Sequence, residues 1–418
     1  MIEKPLNISS LDSLRSALET VAPGEDFAIE FADRLLAGAW ALRASDVHLE
    51  SRPAGLQVKV RLDGRLYAAG AAPAAFSGNI MARLKYMARL AVYQHTTPQD
   101  GRLTFETPEG IGVDLRVSFL PSVYGEKAVI RLPEPDQRDL NLESLGLPDA
   151  VCAALVGLAR RRQGLLLLTG PSSSGKTTTI YALLKFLYGE YGEAVNIASI
   201  EDPVEQRLGF LCQTQVHPAQ GLTFAEGLKS ILRQDPDIIM VGETRDAETA
   251  VVAVHAALTG HLVLSTMHSA SAPGVFLRLV HMGIEPFLVA SAVQGVLAQR
   301  LVRRLCPSCR RQWPRSQWPE PIVARFSLGQ DAVLYQAVGC EDCGATGYRG
   351  RTGLFSLLAM EPSLQDLILA RASAAGLDAW TEQRRAPSLL DDGLAKARAG
   401  LTSLEEVLRC LGEETTGL

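Results

Sequence analysis

From Phe27 to Arg43 the apolar residues recur every three or four positions, the period of a helix with one buried face. The period then changes. The runs DVHLE from Asp46, LQVKVRL from Leu56 and, after Asp63-Gly64, RLYAA from Arg65 alternate apolar and polar residues, predicting short strands and a D-G hairpin. Residues 76–91 return to the helical period, and GRLTFET, IGVDLRVSFL and EKAVIRL alternate again. Together these predict a small α+β domain over residues 26–132, preceded by a tail at 1–25. From Pro133 to Pro148 the chain is rich in proline and charge and poor in apolar residues, so 133–147 reads as a linker.

Beyond Pro148 the signal changes kind. The runs LLLLT, VNIASI, DIIMVGE and HLVLST are apolar on both alternating sets of positions and are separated by helical stretches. Strands apolar on both faces are buried on both faces, which predicts an α/β core at 148–304 with a parallel sheet between two helical layers. A helical stretch is expected from Glu285 to Arg304, a cysteine-bearing module at 305–353, and helices again from Ser363 to Leu411 within a C-terminal region at 354–418.

The first of these strands runs into Gly170-Pro171-Ser172-Ser173-Ser174-Gly175-Lys176-Thr177, followed by Thr178 and a helical pattern. Strand, G-x-x-x-x-G-K-T and helix in that order form the phosphate-gripping P-loop. Its glycines let backbone N–H groups turn inward, Lys176 reaches the outer phosphates, and Thr177 offers a hydroxyl to Mg²⁺. A nucleoside triphosphate is therefore the expected ligand of residues 170–178. Hydrolysis needs more: a held metal, an oriented water and charge neutralisation. The run Asp237–Glu243 ends an apolar strand in a carboxylate, placing Glu243 at the sheet edge beside the loop. Glu201-Asp202-Pro203-Val204-Glu205 crowds three carboxylates behind another strand, although taken alone it reads as a solvated turn. His261 opens the strand HLVLST and His268 follows its end, positions suited either to phosphate sensing or to plain structural hydrogen bonding.

Composition narrows the setting. With 418 residues the chain exceeds one ordinary core, and Lys+Arg 41 against Asp+Glu 46 gives a net charge of −5, so no general basic field advertises nucleic acid. The N-terminal residues lack a continuous apolar stretch, and no segment offers the ~18 apolar residues of a membrane span. A cytoplasmic location is expected. Of seven cysteines, Cys306-Pro-Ser-Cys309 and Cys340-Glu-Asp-Cys343 form two C-x-x-C pairs, the pattern of a closed structural Zn²⁺ site; two redox pairs or disulfides are the alternative.

Taken together these motifs resemble the secretion and pilus motor ATPases, meaning the type II secretion ATPase and the type IV pilus assembly ATPase. ASDVHLE, RLDGRL, PQDGRL, DLRVSFLPS and GEKAVIRL are similar to that family's nucleotide-covering domain. GPSSSGKTTTIYALL is similar to its Walker A, IEDPVE to its Asp box, ILRQDPDIIMVGETRDAETA to its Walker B, TGHLVLSTMHS to its His box, and LAQRLVRRLCPSC with CEDCGATGYRGRTG to its tetracysteine module. The resemblance implies a RecA-like P-loop core bound to ATP and Mg²⁺, with Glu205 and Glu243 handling water and metal and His268 contacting phosphate. It also implies Arg116 and Arg131 as arginine fingers, and Zn²⁺ on Cys306, Cys309, Cys340 and Cys343. A homo-hexamer at the cytoplasmic face of the inner membrane would drive a platform protein and meet a membrane-recruiting protein, with no nucleic acid among its partners.

Two departures from the family stand out. Ser173 replaces the usual glycine, a strain if positive φ is required, and a long N-terminal docking extension is expected to be missing. Competing readings are a pilus retraction ATPase, disfavoured by the tetracysteine module, a nucleotide-binding scaffold ring with little turnover, and a nucleic-acid translocase, disfavoured by the lack of aromatics interleaved with basic residues.

Overall fold

A computed structural model describes residues 8–412 apart from 108, 109, 134–139, 270, 327 and 385. Residues 1–7 of the expected tail and 134–139 of the expected linker therefore lie outside the described residues. The chain divides into two units, one made of Met1–Gln137, Arg303–Gln312 and Gln336–Gly350, the other of Arg138–Val302, Trp313–Tyr335 and Arg351–Leu418.

The first unit begins with α1 (Leu11–Glu19), inside the stretch expected as a tail. Ser10 and Ser13 cap it reciprocally, and Leu14 and Leu18 supply its buried side. Then follow α2 (Phe27–Ala41), β1 (Asp46–Arg52), β2 (Gly55–Leu62), β3 (Arg65–Pro73), α3 (Ala74–Met87), β4 (Gln99–Glu106), β5 (Gly112–Ser122) and β6 (Gly125–Arg131). The strands form one antiparallel sheet in the order β3-β2-β1-β6-β5-β4. Phe31, Leu35 and Leu36 of α2 and Ile80 and Leu84 of α3 close over Val47, Leu49, Val58, Val60 and Ile130, which is why the strands alternate: one face is covered.

The cysteine segments group with this unit. Arg303 donates to the Tyr67 hydroxyl at 2.8 Å and lies over the Tyr348 ring at 3.8 Å, and the Gly350 N–H donates to Asp63 Oδ2 at 2.9 Å.

The second unit carries α4 (Asp149–Ala159), β7 (Gly164–Thr169), α5 (Lys176–Tyr191), β8 (Ile197–Glu201), β9 (Cys212–Gln215), α6 (Phe224–Ile231), β10 (Ile238–Val241), α7 (Ala247–Leu258), β11 (Leu262–Met267), α8 (Ala272–His281), α9 (Pro286–Ala292) and β12 (Val293–Leu305). Its sheet runs from strand Tyr348–Ala359 through β12-β7-β11-β10-β8-β9, with parallel pairing from β12 to β9. Alternation separates two cores. Leu165, Leu167, Ile239, Val241 and Val263 face one layer, while Leu166, Leu168, Ile238, Met240, Leu262 and Leu264 face the other. That doubly covered sheet is the α/β core the continuous apolar runs imply.

Besides α1, a second element differs from expectation. The helix anticipated from Glu285 to Arg304 stops at Ala292, and Val293–Leu305 is strand. Val293, Val296, Leu297, Leu301 and Leu305 recur at spacings that mimic a helix, but pairing with β7 decides the backbone. At Gly295 an added Cβ would lie 2.9 Å from Leu158 Cδ1 and 3.2 Å from the Leu358 carbonyl oxygen.

Candidate functional site

The loop between β7 and α5 sits where four elements meet within the second unit. Gly170 adopts φ 154° and Gly175 φ 85°. A Cβ on Gly170 would lie 2.3 Å from the Gln299 carbonyl oxygen, and one on Gly175 2.9 Å from Gln299 Nε2, so β12 presses the loop into shape. Gln299 also ties the loop directly. Its Nε2 donates to the Ser174 carbonyl at 2.8 Å, and its Oε1 accepts from Thr179 Oγ1 at 2.9 Å. Ser173 takes φ 60°, the left-handed region that costs a residue with a Cβ.

Lys176 is buried and donates to the Gly170 and Pro171 carbonyls, both at 2.9 Å. Burial lowers its pKa, the nearby Glu243 carboxylate opposes that shift, and Arg300 adds to it. Thr177 and Thr178 follow in the first turn of α5, half-buried, whereas Pro171, Ser172 and Ser173 are exposed. Among the described residues the buried Ser174 hydroxyl oxygen finds no hydrogen-bond partner.

Glu243 follows β10 and is mostly buried. Arg245 donates Nε to its Oε2 at 2.7 Å, and His268 Nε2 lies 2.9 Å from its Oε1. The same imidazole places Nδ1 3.2 Å from the Gly170 carbonyl. Both partners are acceptors, so the ring satisfies both only with a proton on each nitrogen. The ends of β10 and β11 are pinned together by Thr266 Oγ1 donating to the Gly242 carbonyl at 2.8 Å, and by the Thr244 and Ser265 hydroxyls, also 2.8 Å apart. Thr169 Oγ1 donates to the Ser269 carbonyl at 3.1 Å, fixing the loop after β11 to β7.

The structure thus brings Lys176 and His268 to the Gly170 carbonyl, with Glu243 joined to them through the far side of the His268 ring. Glu205 is exposed on the segment after β8, and no ion pair or hydrogen bond among the described residues joins its carboxylate to these three. His261 lies apart, its Nδ1 3.0 Å from the Ala256 carbonyl, a structural contact. Arg116 and Arg131 belong to the first unit, directly opposite one another on β5 and β6 and both exposed. Arg131 Nε lies 3.3 Å from Asp46 Oδ1. Gln299, Arg245 and Asp46 were not legible as site residues. Arg245 had a signal, standing two residues beyond a strand-end carboxylate, but Gln299 had none while β12 read as helix.

The four paired cysteines converge within the first unit, their sulfurs all within 4.8 Å of one another. Cys306–Cys340, Cys309–Cys343 and Cys340–Cys343 sulfur separations are 3.8, 3.9 and 3.8 Å. A tetrahedron with Zn–S of about 2.3 Å has edges of about 3.8 Å, so the donor set fits Zn²⁺. Burial works against the Cys343 thiolate, but the Cys340 and Gly347 N–H groups, each 3.2 Å from its sulfur, draw its pKa down.

Residues 22–409 match the model of the family described as "Type II/IV secretion system protein". The chain belongs to that family. It is 44% identical to the type II secretion system ATPase E of Vibrio cholerae, over 94% of this chain and 78% of that one. It is 41% identical to the type IV pilus assembly ATPase TfpB of Acinetobacter baylyi, over 91% of this chain and 65% of that one. Among solved structures, the Legionella pneumophila ATPase DotB aligns with a TM-score of 0.67 over 94% of this chain and 98% of its own, at 20% identity, a likeness of fold. This secretion ATPase carries the family's P-loop with a serine at position 173. No helix among its described residues is long and apolar enough to cross a membrane.

Proposed function

We propose that this secretion ATPase is a ring motor, a homo-hexamer that hydrolyses Mg-ATP to drive assembly of a secretion pseudopilus or a type IV pilus at the inner membrane. The observation carrying the reading is the chain of contacts in which Lys176 and His268 meet at the Gly170 carbonyl and His268 passes on to Glu243, beside the N-terminus of the 16-residue α5. Residues 170–178 hold the phosphates, the N–H groups of the first turn of α5 supporting negative charge. The unpartnered Ser174 hydroxyl and the crowding at Gly170 fit a cradle built for a ligand instead of a side chain. Thr177 and Glu243 would hold Mg²⁺, which would screen phosphate charge when bound. Glu205 orients the attacking water, and Arg116 and Arg131 neutralise charge that grows in the transition state. Zn²⁺ held by Cys306, Cys309, Cys340 and Cys343 staples the first unit. An inner-membrane platform protein and a cytoplasmic membrane-recruiting protein are the partners, with peripheral attachment and no nucleic acid. Phosphate release at saturating Mg-ATP tests the reading: the purified chain turns over and Lys176→Ala does not, whereas equal rates for the two sink it.

A further inference from the structure

We infer that Tyr181, Glu201 and Gln213 are positioning residues that hold the backbone bearing Glu205, and through it the attacking water. The inference rests on the proposed role of Glu205. Glu201 ends β8 with a carboxylate that is 2% exposed and that no step of the proposed hydrolysis uses. Burying a carboxylate is costly unless its oxygens are filled, and these are. Tyr181 donates its phenol to Oε2, while Oε1 accepts from Ser199 Oγ at 2.5 Å and Gln213 Nε2 at 3.0 Å.

The same groups reach across to the segment that follows. Tyr181 lies in α5 four residues beyond Thr177, one turn along the same face. Burial and the Glu201 carboxylate keep its phenol protonated, and the backbone N–H groups of Gln206 and Glu205 face its oxygen. Gln213 strands the segment from the other side. Its Nε2 also donates to the Gln206 carbonyl at 2.9 Å and its Oε1 accepts from the Leu208 N–H at 2.7 Å, while Gln215 Oε1 accepts from the Val204 N–H at 3.2 Å. Positions 204, 205, 206 and 208 are all addressed by side chains from α5 and β9.

Glu205 itself is exposed, with no side-chain partner of its own among the described residues to fix it. Its position is inherited from its backbone, and the backbone's from the Tyr181–Glu201–Gln213 network. Tyr181 further links this segment to the helix that starts at Lys176, so a shift of the P-loop is carried to the residue that faces water. A general base works only within hydrogen-bond reach, and a displacement of about 1 Å costs on the order of 100-fold in rate.

The test compares Tyr181→Phe, Glu205→Gln and the double variant in the full chain, reading phosphate release at saturating Mg-ATP and the affinity of a fluorescent ATP analogue. Tyr181→Phe is expected to lower kcat by about 10- to 100-fold with affinity changed by less than about 3-fold. Glu205→Gln lowers kcat on its own, and the double variant is no slower than Glu205→Gln, because a residue acting only through Glu205 has nothing left to act on. Losses that multiply in the double variant, or an unchanged kcat for Tyr181→Phe, overturn the inference while leaving the Glu205 assignment standing. An unchanged kcat for Glu205→Gln overturns the assignment itself, and the inference with it. Gln213→Met, at a half-buried position, carries the same comparison if Tyr181→Phe does not fold.

Discussion

His268 holds Nε2 2.9 Å from Glu243 Oε1 while its Nδ1 lies 3.2 Å from the carbonyl of Gly170. One ring thus joins the strand-end carboxylate to the phosphate loop, and any movement of the loop is felt at Glu243. Replacing the ring by alanine removes the link and leaves both elements in place. His268→Ala is expected to lower kcat by about 100-fold with a smaller loss of nucleotide affinity. Parallel turnover and binding measurements check this, and an equal loss in both would make the ring a nucleotide-binding group instead.

Gln299 bridges the loop and α5 from β12, donating to the Ser174 carbonyl and accepting from Thr179. Gln299→Met keeps the length and removes both hydrogen bonds, so the Ser174 carbonyl loses a buried donor and Thr179 Oγ1 keeps its 3.2 Å bond to the Gly175 carbonyl. A stability loss of about 1–3 kcal/mol is expected from denaturant unfolding, with weaker nucleotide binding because the loop is less firmly held. Wild-type stability in Gln299→Met would mean the ties are incidental.

Ser173 occupies the left-handed region at φ 60°. For a residue with a Cβ this costs roughly 1–2 kcal/mol, while glycine gives back part of that through a freer unfolded chain. Ser173→Gly is therefore expected to raise stability by about 0.5–1 kcal/mol. If loop strain slows the motor, turnover rises as well. A loss of stability in Ser173→Gly would show that the serine contributes something the backbone strain does not reveal.

The sulfur separations of 3.8–3.9 Å fit a single tetrahedral Zn²⁺, and one metal per chain is the expected content. Elemental analysis after purification without chelators should find it, and Cys343→Ser should lower both zinc content and the melting temperature. Thiols must lose their protons to bind the metal as thiolates, so retention weakens as pH falls. Less than one metal per two chains at neutral pH would contradict the assignment.

Much of this is legible in the sequence. Continuous apolar runs at Leu165–Thr169 and Leu262–Met267 read as buried strands because both faces of that sheet are covered, and the two cysteine pairs carried their geometry in their spacing. Other features depend on neighbours remote in sequence. Val293–Leu305 has helical spacing, and only its place beside β7 makes it a strand. Gln299 became meaningful through that pairing alone. Glu201, in a run that reads as a solvated turn, is among the most deeply buried carboxylates because Tyr181 and Gln213 fold over it. Local pattern states which residues are apolar; it does not state which polar ones find partners.

If the loop at Gly170–Thr177 and the carboxylate of Glu243 form one hydrolytic site, removing the charge of Glu243 separates nucleotide binding from turnover. The most direct measurement is phosphate release at saturating Mg-ATP by Glu243→Gln, with nucleotide binding followed in the same preparation. Turnover is expected to fall by at least about 100-fold while nucleotide is still bound. Turnover like that of the unaltered chain would contradict a single hydrolytic site.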